Sequence, residues 1–419
     1  METSKKVKLV TFAPHANFGT CLQSYALNFI LRQMGCDVEF IYNCGENPPL
    51  PFRKKLLIAL RQLFPFAAKF LDVRQVQKRD LPKFEKPHIL TYPNCPIQKI
   101  VDKFFVYRFF YGIFKRRSAQ RRKVYDFAFS DGNYKMRRLY VKADYEEVVA
   151  DADVFITASD QIWNPFCGGF NPMMFLEFVE GRKKCVAYSS SIARPKFPDS
   201  VERRAKDCLA KFKYIAVREQ SSVEYLKTLL DRNDVRLVVD PTLLLTRDQW
   251  IDFSNRATIE FKLPERYIFC YFIGNRNDDY EAMVEDVKKR TGIDDVITVS
   301  CGNMCNFGNG IFYNGGGPYE FVYLLRNSVL VCTDSFHATL FSLKMGVDFV
   351  HILKNANDNA NVSQNSRMYD ILARYELAHK LYKKDSNDWL RTPNFSGIYR
   401  KMSAEIEDSM EFLNREIFN

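Results

Sequence analysis

The chain has 419 residues, of which 47% are hydrophobic and 26% charged. That composition excludes a wholly disordered protein, and the length suits two domains of ~100–200 residues. The net charge of +11 is unevenly placed: Pro51–Lys142 carries 23 Lys and Arg against 6 Asp and Glu, a local +17 that leaves the rest at −6. Apolar runs are strand-length, far short of the ~18–20 residues of a membrane-spanning helix. The opening METSKKVKLVTF puts charges directly before a strand-like run, without the apolar core of a signal peptide, so a cytoplasmic location is expected. The 11 cysteines agree with it. Cys21, Cys185, Cys270 and Cys332 lie in apolar runs, where a free thiol packs as a small hydrophobe. Cys301 and Cys305 form an isolated C-x3-C with no second pair and no neighbouring His, and no metal is expected there.

In chain order, residues 6–12 (KVKLVTF) read as a strand and APHANFGT as the turn after it. CLQSYALNFILRQMG reads as a helix, with Leu22, Tyr25, Ala26, Phe29, Ile30 and Met34 on one face at i, i+3, i+4 spacing. Gly35 ends the helix and DVEFIYN is the next strand. Doubly wound domains begin with this β-loop-α-β pattern. From about residue 50 to 145 the pattern breaks, and basic and aromatic residues alternate, as in KFFVYRFFYGIFKRRSAQRRK (Lys103–Lys123). Such a stretch is either a helical insertion packing its aromatics on its own domain or a helix pair lying on anionic lipid. No nucleic-acid-binding motif accompanies the charge, so nucleic acid is not an expected partner. Alternation resumes at Asp153 with DVFITAS, KCVAYSSS, YIAVRE and VRLVVD. After VVDPTLLL comes a second series: YIFCYFIG, a helix near Tyr280–Arg290, DVITVS, a helix near Glu320–Asn327, SVLVCTD, FHATLFSLKMG and VDFVHI. The two series, joined near Asp240–Thr246, predict an α/β protein of two Rossmann-like domains facing a cleft. Residues 1–243 form the first, with the insertion, and 244–419 the second, with C-terminal helices.

In such folds ligands sit at the carboxyl ends of strands, and four strand-end loops are polar and small. Asn17-Phe18-Gly19-Thr20 opens a helix, where backbone N–H groups can hold an anion or hydroxyls; it has neither the dinucleotide G-x-G-x-x-G spacing nor the Lys of a P-loop. Ser159-Asp160-Gln161-Ile162-Trp163-Asn164-Pro165 combines amides and a carboxylate with an indole, the composition of a sugar site or of a capped turn around a half-buried Trp. Tyr188-Ser189-Ser190-Ser191 is followed by Val217-Arg218-Glu219 at a later strand end. Cys332-Thr333-Asp334-Ser335-Phe336-His337-Ala338 places a His at a helix start among hydroxyls and backbone donors.

Seven segments, N-F-G-T-x-L-Q-x-Y-A-L (Asn17–Leu27), A-S-D-Q-I-W-N (Ala158–Asn164), Y-S-S-S-I-A (Tyr188–Ala193), V-R-E-x-x-S (Val217–Ser222), V-D-P-T (Val239–Thr242), T-D-S-F-H-A-T-x-F-S (Thr333–Ser342) and N-S-R-M-Y-D-I-L (Asn365–Leu372), follow one another as in polysaccharide pyruvyl transferases. The chain resembles that family from about residue 6 to about 380, with the basic insertion unmatched. The resemblance implies a GT-B-like fold and transfer of an enolpyruvyl unit from phosphoenolpyruvate to two hydroxyls of a sugar, leaving a pyruvate ketal. Phosphoenolpyruvate is then a co-substrate and no cofactor is expected. Where the family often reads S-R-L-H, this chain has Asp334-Ser335-Phe336-His337, so Ser335 replaces an Arg suited to phosphate or carboxylate. The donor site is therefore assigned to Arg218, Ser335 and Arg367, the two arginines supplying the bidentate fork a near-trianionic donor needs. His337, Glu219 and Asp160 are the expected proton-handling groups. Asn17, Gly19, Asp160, Gln161, Trp163, Asn164, Ser189 and Ser190 are assigned to the acceptor, on the side of the first domain. His15 is a lesser candidate, and His88, His351 and His379 look incidental. The basic insertion suggests an acceptor carried on a lipid diphosphate, with the protein peripheral at the inner face of the cell membrane. Two alternatives remain: a GT-B glycosyltransferase using a nucleotide sugar, and a non-catalytic membrane-associated scaffold of glycan assembly.

Overall fold

The computed structural model describes residues 4–12, 17–43, 119–166, 169–274, 278–299, 307, 310–354 and 365–419. The bulk of the basic insertion, His15, His88 and the Cys301/Cys305 pair lie outside the described residues.

The first domain contains β1 (Lys6–Val10), α1 (Phe18–Gln33), β2 (Asp37–Asn43), α2 (Ala119–Tyr125, running on as a π-helical turn over Asp126–Ser130), β3 (Met136–Leu139), α3 (Lys142–Asp151), β4 (Val154–Ala158), β5 (Lys184–Ser190), α4 (Asp199–Leu209), β6 (Tyr214–Val217), α5 (Gln220–Leu230) and β7 (Arg236–Leu237). Its seven strands are all parallel, in the order β3-β2-β1-β4-β5-β6-β7. The short helices α6 (Pro241–Leu244) and α7 (Arg247–Ser254) lead into the second domain. There follow β8 (Ile268–Tyr271), α8 (Asp278–Thr291), β9 (Val296–Val299), β10 (Ile311–Tyr313), α9 (Pro318–Arg326), β11 (Leu330–Thr333), α10 (Phe336–Met345), β12 (Asp348–His351), α11 (Ser366–Arg374) and α12 (Phe395–Phe418). The second sheet is also parallel, in the order β10-β9-β8-β11-β12. β4, β8, β9 and β11 are buried along their whole lengths, which is why they read as unbroken apolar runs: helices cover both faces of a parallel sheet. The expected pair of Rossmann-like domains is present. In each, the strand order reverses beside the first strand, at β1/β4 and at β8/β11, and these are the switch points where ligands bind in open α/β sheets.

Three features depart from the sequence reading. α1 starts at Phe18 rather than Cys21, because Asn17 caps it by accepting from the Gly19 amide at 3.0 Å. The stretch 119–145 is not part of an insertion. β3 completes the edge of the first sheet beside β2, and Val124, Phe127, Ala128 and Tyr134 enter the main core. Basic residues hid β3 because an edge strand tolerates them. Finally, α12, expected with the second domain, packs against the first: Val239 N donates to Ser409 Oγ at 3.0 Å, Lys184 Nζ to the Glu416 carbonyl, and Phe412 lies against Tyr188.

The domains share a core. One apolar cluster runs from β1 and α1 through Trp250 and Phe253 of α7 to β8, α9 and α10. Aromatic rings stitch it together: Phe18 stacks on Tyr271 at 5.8 Å, and Tyr25 meets Phe253 at 4.9 Å and Trp250 at 6.0 Å, with Phe341 beyond at 4.8 Å from Trp250. Lys123 of α2 adds an ion pair to Glu320 of α9 at 2.8 Å.

Candidate active site

The two switch points face one another. The α1 N-terminus, following β1, abuts the end of β8, where the Phe18 amide donates to the Tyr271 hydroxyl at 3.3 Å. Around this junction, strand-end loops of the first domain bring Asp160, Arg218, Glu219 and Asp240 together, and the second contributes His337 from α10 and Arg367 from α11. All six are buried.

Arg218 is the hub. Its Nη1 donates to Asp240 Oδ2 at 2.6 Å, its Nε to Glu219 Oε1 at 3.1 Å and its Nη2 to Asp160 Oδ1 at 3.4 Å. These carboxylates raise the guanidinium further, against the opposing effect of burial. Arg218 was expected to grip the donor, but its fork is filled by the protein's own carboxylates. Its guanidinium also sits 4.4 Å from the Phe336 ring centre, and Arg367 reaches the same ring at 5.5 Å. Phe336 thus has two cations close to its ring, each attracted to the ring quadrupole. Arg367 Nη1 lies 4.0 Å from Asp160 Oδ1. With the Gln161 amide oxygen turned toward it, its Nη1 and Nη2 donate there at 2.7 and 3.1 Å.

The carboxylates differ. Burial pushes Asp160 up, but His337, Arg218, Arg367 and the Thr20 hydroxyl, which donates at 2.7 Å, together hold it at about 2. Asp240 caps α6, accepting at Oδ1 from the Thr242 amide at 3.0 Å and hydroxyl at 2.8 Å. There too burial is overcome, by His337, Arg218 and the Thr242 amide, and the carboxyl stays well below the usual range. At Glu219 burial wins over Arg218 and Ser191, and its carboxyl is raised. Ser191 donates to Glu219 Oε1 at 2.6 Å, while Oε2 is buried without a hydrogen-bond partner.

His337 lies in the first turn of α10, with Nε2 3.6 Å from Asp240 Oδ2. Its ring packs on Gly19 of α1 near Nδ1 and Cγ. The backbone beneath this cluster is strained: Ser159, Asp160, Ser189 and Ala193 all adopt the left-handed conformation, with φ of 49°, 59°, 55° and 56°. For residues with a Cβ that costs of order 1–3 kcal/mol each and persists only where surroundings over-determine it.

Several assigned residues are brought together here and others are not. Trp163, expected to cover a sugar, is in the first-domain core; its ring stacks on Phe175 at 5.7 Å and its Nε1 donates to the Met174 carbonyl. Its face is therefore taken. Asn164 holds the turn, accepting from the Phe166 amide. Ser190 donates to the Thr157 carbonyl, and Ser189 accepts from Ser159 at 3.5 Å. Ser335, assigned to the donor, is the N-cap of α10 and accepts from the Ala338 amide at 3.4 Å. Asn17 caps α1, and Gly19 gives its amide to that cap. Asp334 is spent on the β8 loop, accepting from the Ile273 and Gly274 amides and the Tyr280 hydroxyl. His351 is buried against Thr339 and burial holds it neutral, at about 3. Asp240 and Thr20 were missed as site residues, although the segments containing them, V-D-P-T and N-F-G-T, were visible. Among the described residues no His, Cys, Asp and Glu cluster is arranged to hold a metal.

Two facing Rossmann-type sheets, with a charged cluster and a histidine at their joined switch points, define a two-domain α/β protein with one site built from both domains. The family model for polysaccharide pyruvyl transferases matches residues 17–353, and the chain belongs to that family. No curated protein matches the chain. Among solved structures it is similar to UDP-GlcNAc 2-epimerase from Neisseria meningitidis bound to UDP-GlcNAc, at 10% identity over 99% of this chain and 94% of that one, with a TM-score of 0.47. It is also similar to Arabidopsis thaliana UGT89C1 complexed with quercetin (11%, 99% and 100%, TM-score 0.45) and to the glycosyltransferase SnogD from Streptomyces nogalater (14%, 99% and 100%, TM-score 0.42). Likenesses this loose carry no conclusion about substrate.

Proposed function

We propose that the protein transfers the enolpyruvyl unit of phosphoenolpyruvate to two hydroxyls of a sugar, releasing phosphate and leaving a pyruvate ketal, in surface polysaccharide synthesis. The observation that carries this reading is His337, held at a helix N-terminus where both switch points meet, beside an ionised Asp240. His337 protonates the donor methylene carbon, and one acceptor hydroxyl adds to the neighbouring carbon and gives its proton back to the imidazole. The second hydroxyl then closes the ring as the carbon–oxygen bond to phosphate breaks, and phosphate carries that proton away. Asp240 offsets the imidazole's charge while it is protonated. Glu219, with Oε2 unused and its carboxyl raised, is the second proton acceptor for hydroxyls. The Arg218 fork is filled by the protein's own carboxylates, so donor binding falls to Arg367 and to the amides opening α10. Asp160 and Gln161 face the acceptor.

The acceptor is taken to be lipid-linked, with the basic insertion at the inner face of the cell membrane. Among the described residues no helix is long and apolar enough to cross a membrane. At roughly 1 kcal/mol per cation near an anionic surface, a handful of Lys and Arg gives micromolar attachment. Sedimentation with anionic vesicles at low salt should capture the protein, and high salt should release it. Indifference to anionic lipid would remove the membrane from the reading.

The deciding experiment incubates the protein with phosphoenolpyruvate and candidate lipid-linked sugars and weighs the products. A mass increase matching one ketal is expected, with turnover reduced ~10²–10⁴-fold in His337→Ala. Near-normal turnover in that variant would remove His337 from the mechanism. A thermal shift with nucleotide sugars and none with phosphoenolpyruvate would move the protein to glycosyl transfer.

A further inference from the structure

We infer that Asp240 is the positioning residue of His337, selecting the tautomer whose bare nitrogen is Nδ1, and that Gly19 is the residue that makes room for the ring. The inference rests on the proton-transfer role proposed above for His337.

The two ring nitrogens meet opposite environments. Nε2 is buried, has no hydrogen bond, and looks at Asp240 Oδ2 from 3.6 Å. That carboxylate cannot turn away, because Arg218 Nη1 holds the same oxygen at 2.6 Å and the Thr242 amide and hydroxyl hold the other. A neutral imidazole carries one proton. On Nε2 it points at a fixed carboxylate; on Nδ1 it would leave the bare Nε2 lone pair against that negative charge. Asp240 therefore selects the Nε2–H form, as a buried carboxylate does for an imidazole in hydrolytic triads, and the lone pair that takes and returns protons is on Nδ1.

Gly19 supplies the room for the ring itself. It sits in the first turn of α1 without a left-handed φ, so the backbone there does not demand glycine. What demands it is the ring: a Cβ at this position would collide with Nδ1, Cγ and Cβ of His337. The next residue, Thr20, donates to Asp160. One turn of α1 thus touches both the histidine ring and the acceptor-side carboxylate, which keeps them in register.

The test is nitrogen NMR of the full protein labelled at histidine, with the His337 signals assigned by their loss in His337→Gln. Titrated to its neutral form, the substrate-free wild type should keep its proton on Nε2 and leave Nδ1 bare. Asp240→Asn should lose this bias and lower turnover by up to ~10⁴-fold, the scale seen when a triad carboxylate becomes an amide. Gly19→Ala should move both His337 signals and cut turnover ~10²-fold, as expected for a misplacement on the order of an ångström. A neutral wild-type His337 with its proton on Nδ1, or an unchanged tautomer in Asp240→Asn, overturns the inference. If Asp240→Asn does not fold, the wild-type spectrum and Gly19→Ala decide alone. The expected tautomer in a protein that makes no ketal would sink the proposed reaction and leave the Asp240–His337 pairing standing.

Discussion

Where the boundary between the two domains passes Tyr25, Phe127, Trp250, Phe253 and Tyr319, it consists of rings, with Phe253 and Tyr319 centroids 4.6 Å apart and Phe127 and Tyr319 5.5 Å apart. Along the same boundary at the strand ends it consists of charge, three carboxylates gathered on Arg218 with His337 opposite. The aromatic stretch is adaptable chemistry in a rigid place: many contacts of modest individual worth, each replaceable at a cost set by volume. The charged stretch is the reverse, since no member can leave without stranding another in a buried setting. The rings fix how the domains meet, and that fixed meeting lets side chains from both domains form one site.

The harshest way to break the charged stretch is Arg218→Ala. It leaves Asp160, Glu219 and Asp240 without their common partner, and ~3–5 kcal/mol of stability should be lost, measured by urea unfolding. A mild loss would mean that the carboxylates are served by water instead. For the aromatic stretch, Trp250→Ala should cost ~3–5 kcal/mol while both domains still melt in a single transition, because the core is shared. Two separated transitions would show the domains to be thermodynamically independent. Trp163→Ala belongs to the same class: it should destabilise by a similar amount and leave the acceptor KM unchanged in whatever protein remains folded.

Lys344, in the last turn of α10, sharpens the comparison from within. It is buried with its Nζ donating to the Leu243 carbonyl at 2.8 Å, and burial lowers it to about 8. The unfolded chain binds the more protons between about 8 and the ordinary 10.5, so stability should rise with pH across that window. Lys344→Met should flatten the rise and stabilise the protein by ~1–3 kcal/mol at pH 7. The smallest effect separates two carboxylates of one cluster. Asp160, held at about 2 against the ordinary 3.8, contributes about 2 kcal/mol above pH 4 that is lost as pH falls through 2. Glu219 is raised, so ionising it works against folding. Asp160→Asn should therefore destabilise at neutral pH and Glu219→Gln should not; equal losses would contradict the opposite directions.

The strand-end loops, the paired parallel sheets and the seven family segments were legible because each is local: a buried parallel strand is an apolar run, and a loop that follows one is short and polar. What escaped is what the fold joins across distance. Asp240 and His337 belong to different domains, and Asp240 entered the sequence reading only within V-D-P-T and as the start of the junction between the two series. Trp163 was placed on a sugar because its neighbours are polar, yet Asp160 and Gln161 point one way from the turn and the indole the other. Ser335 was weighed for the Arg it replaces, whereas its hydroxyl is taken by the helix it starts. β3 was hidden by its own cations.

The return of α12 to the first domain has a consequence for synthesis. The bond from Val239 to Ser409 closes over 170 residues, and Phe412 is part of the core laid against Tyr188. On a ribosome, the first sheet is therefore complete in sequence long before the helix that covers one of its faces exists. Domains usually fold as units, the N-terminal one first, during synthesis. Here the first must wait, with apolar surface uncovered, until α12 has emerged. A chain shortened by α12 should accumulate as a chaperone-bound or aggregating species rather than as a weaker enzyme.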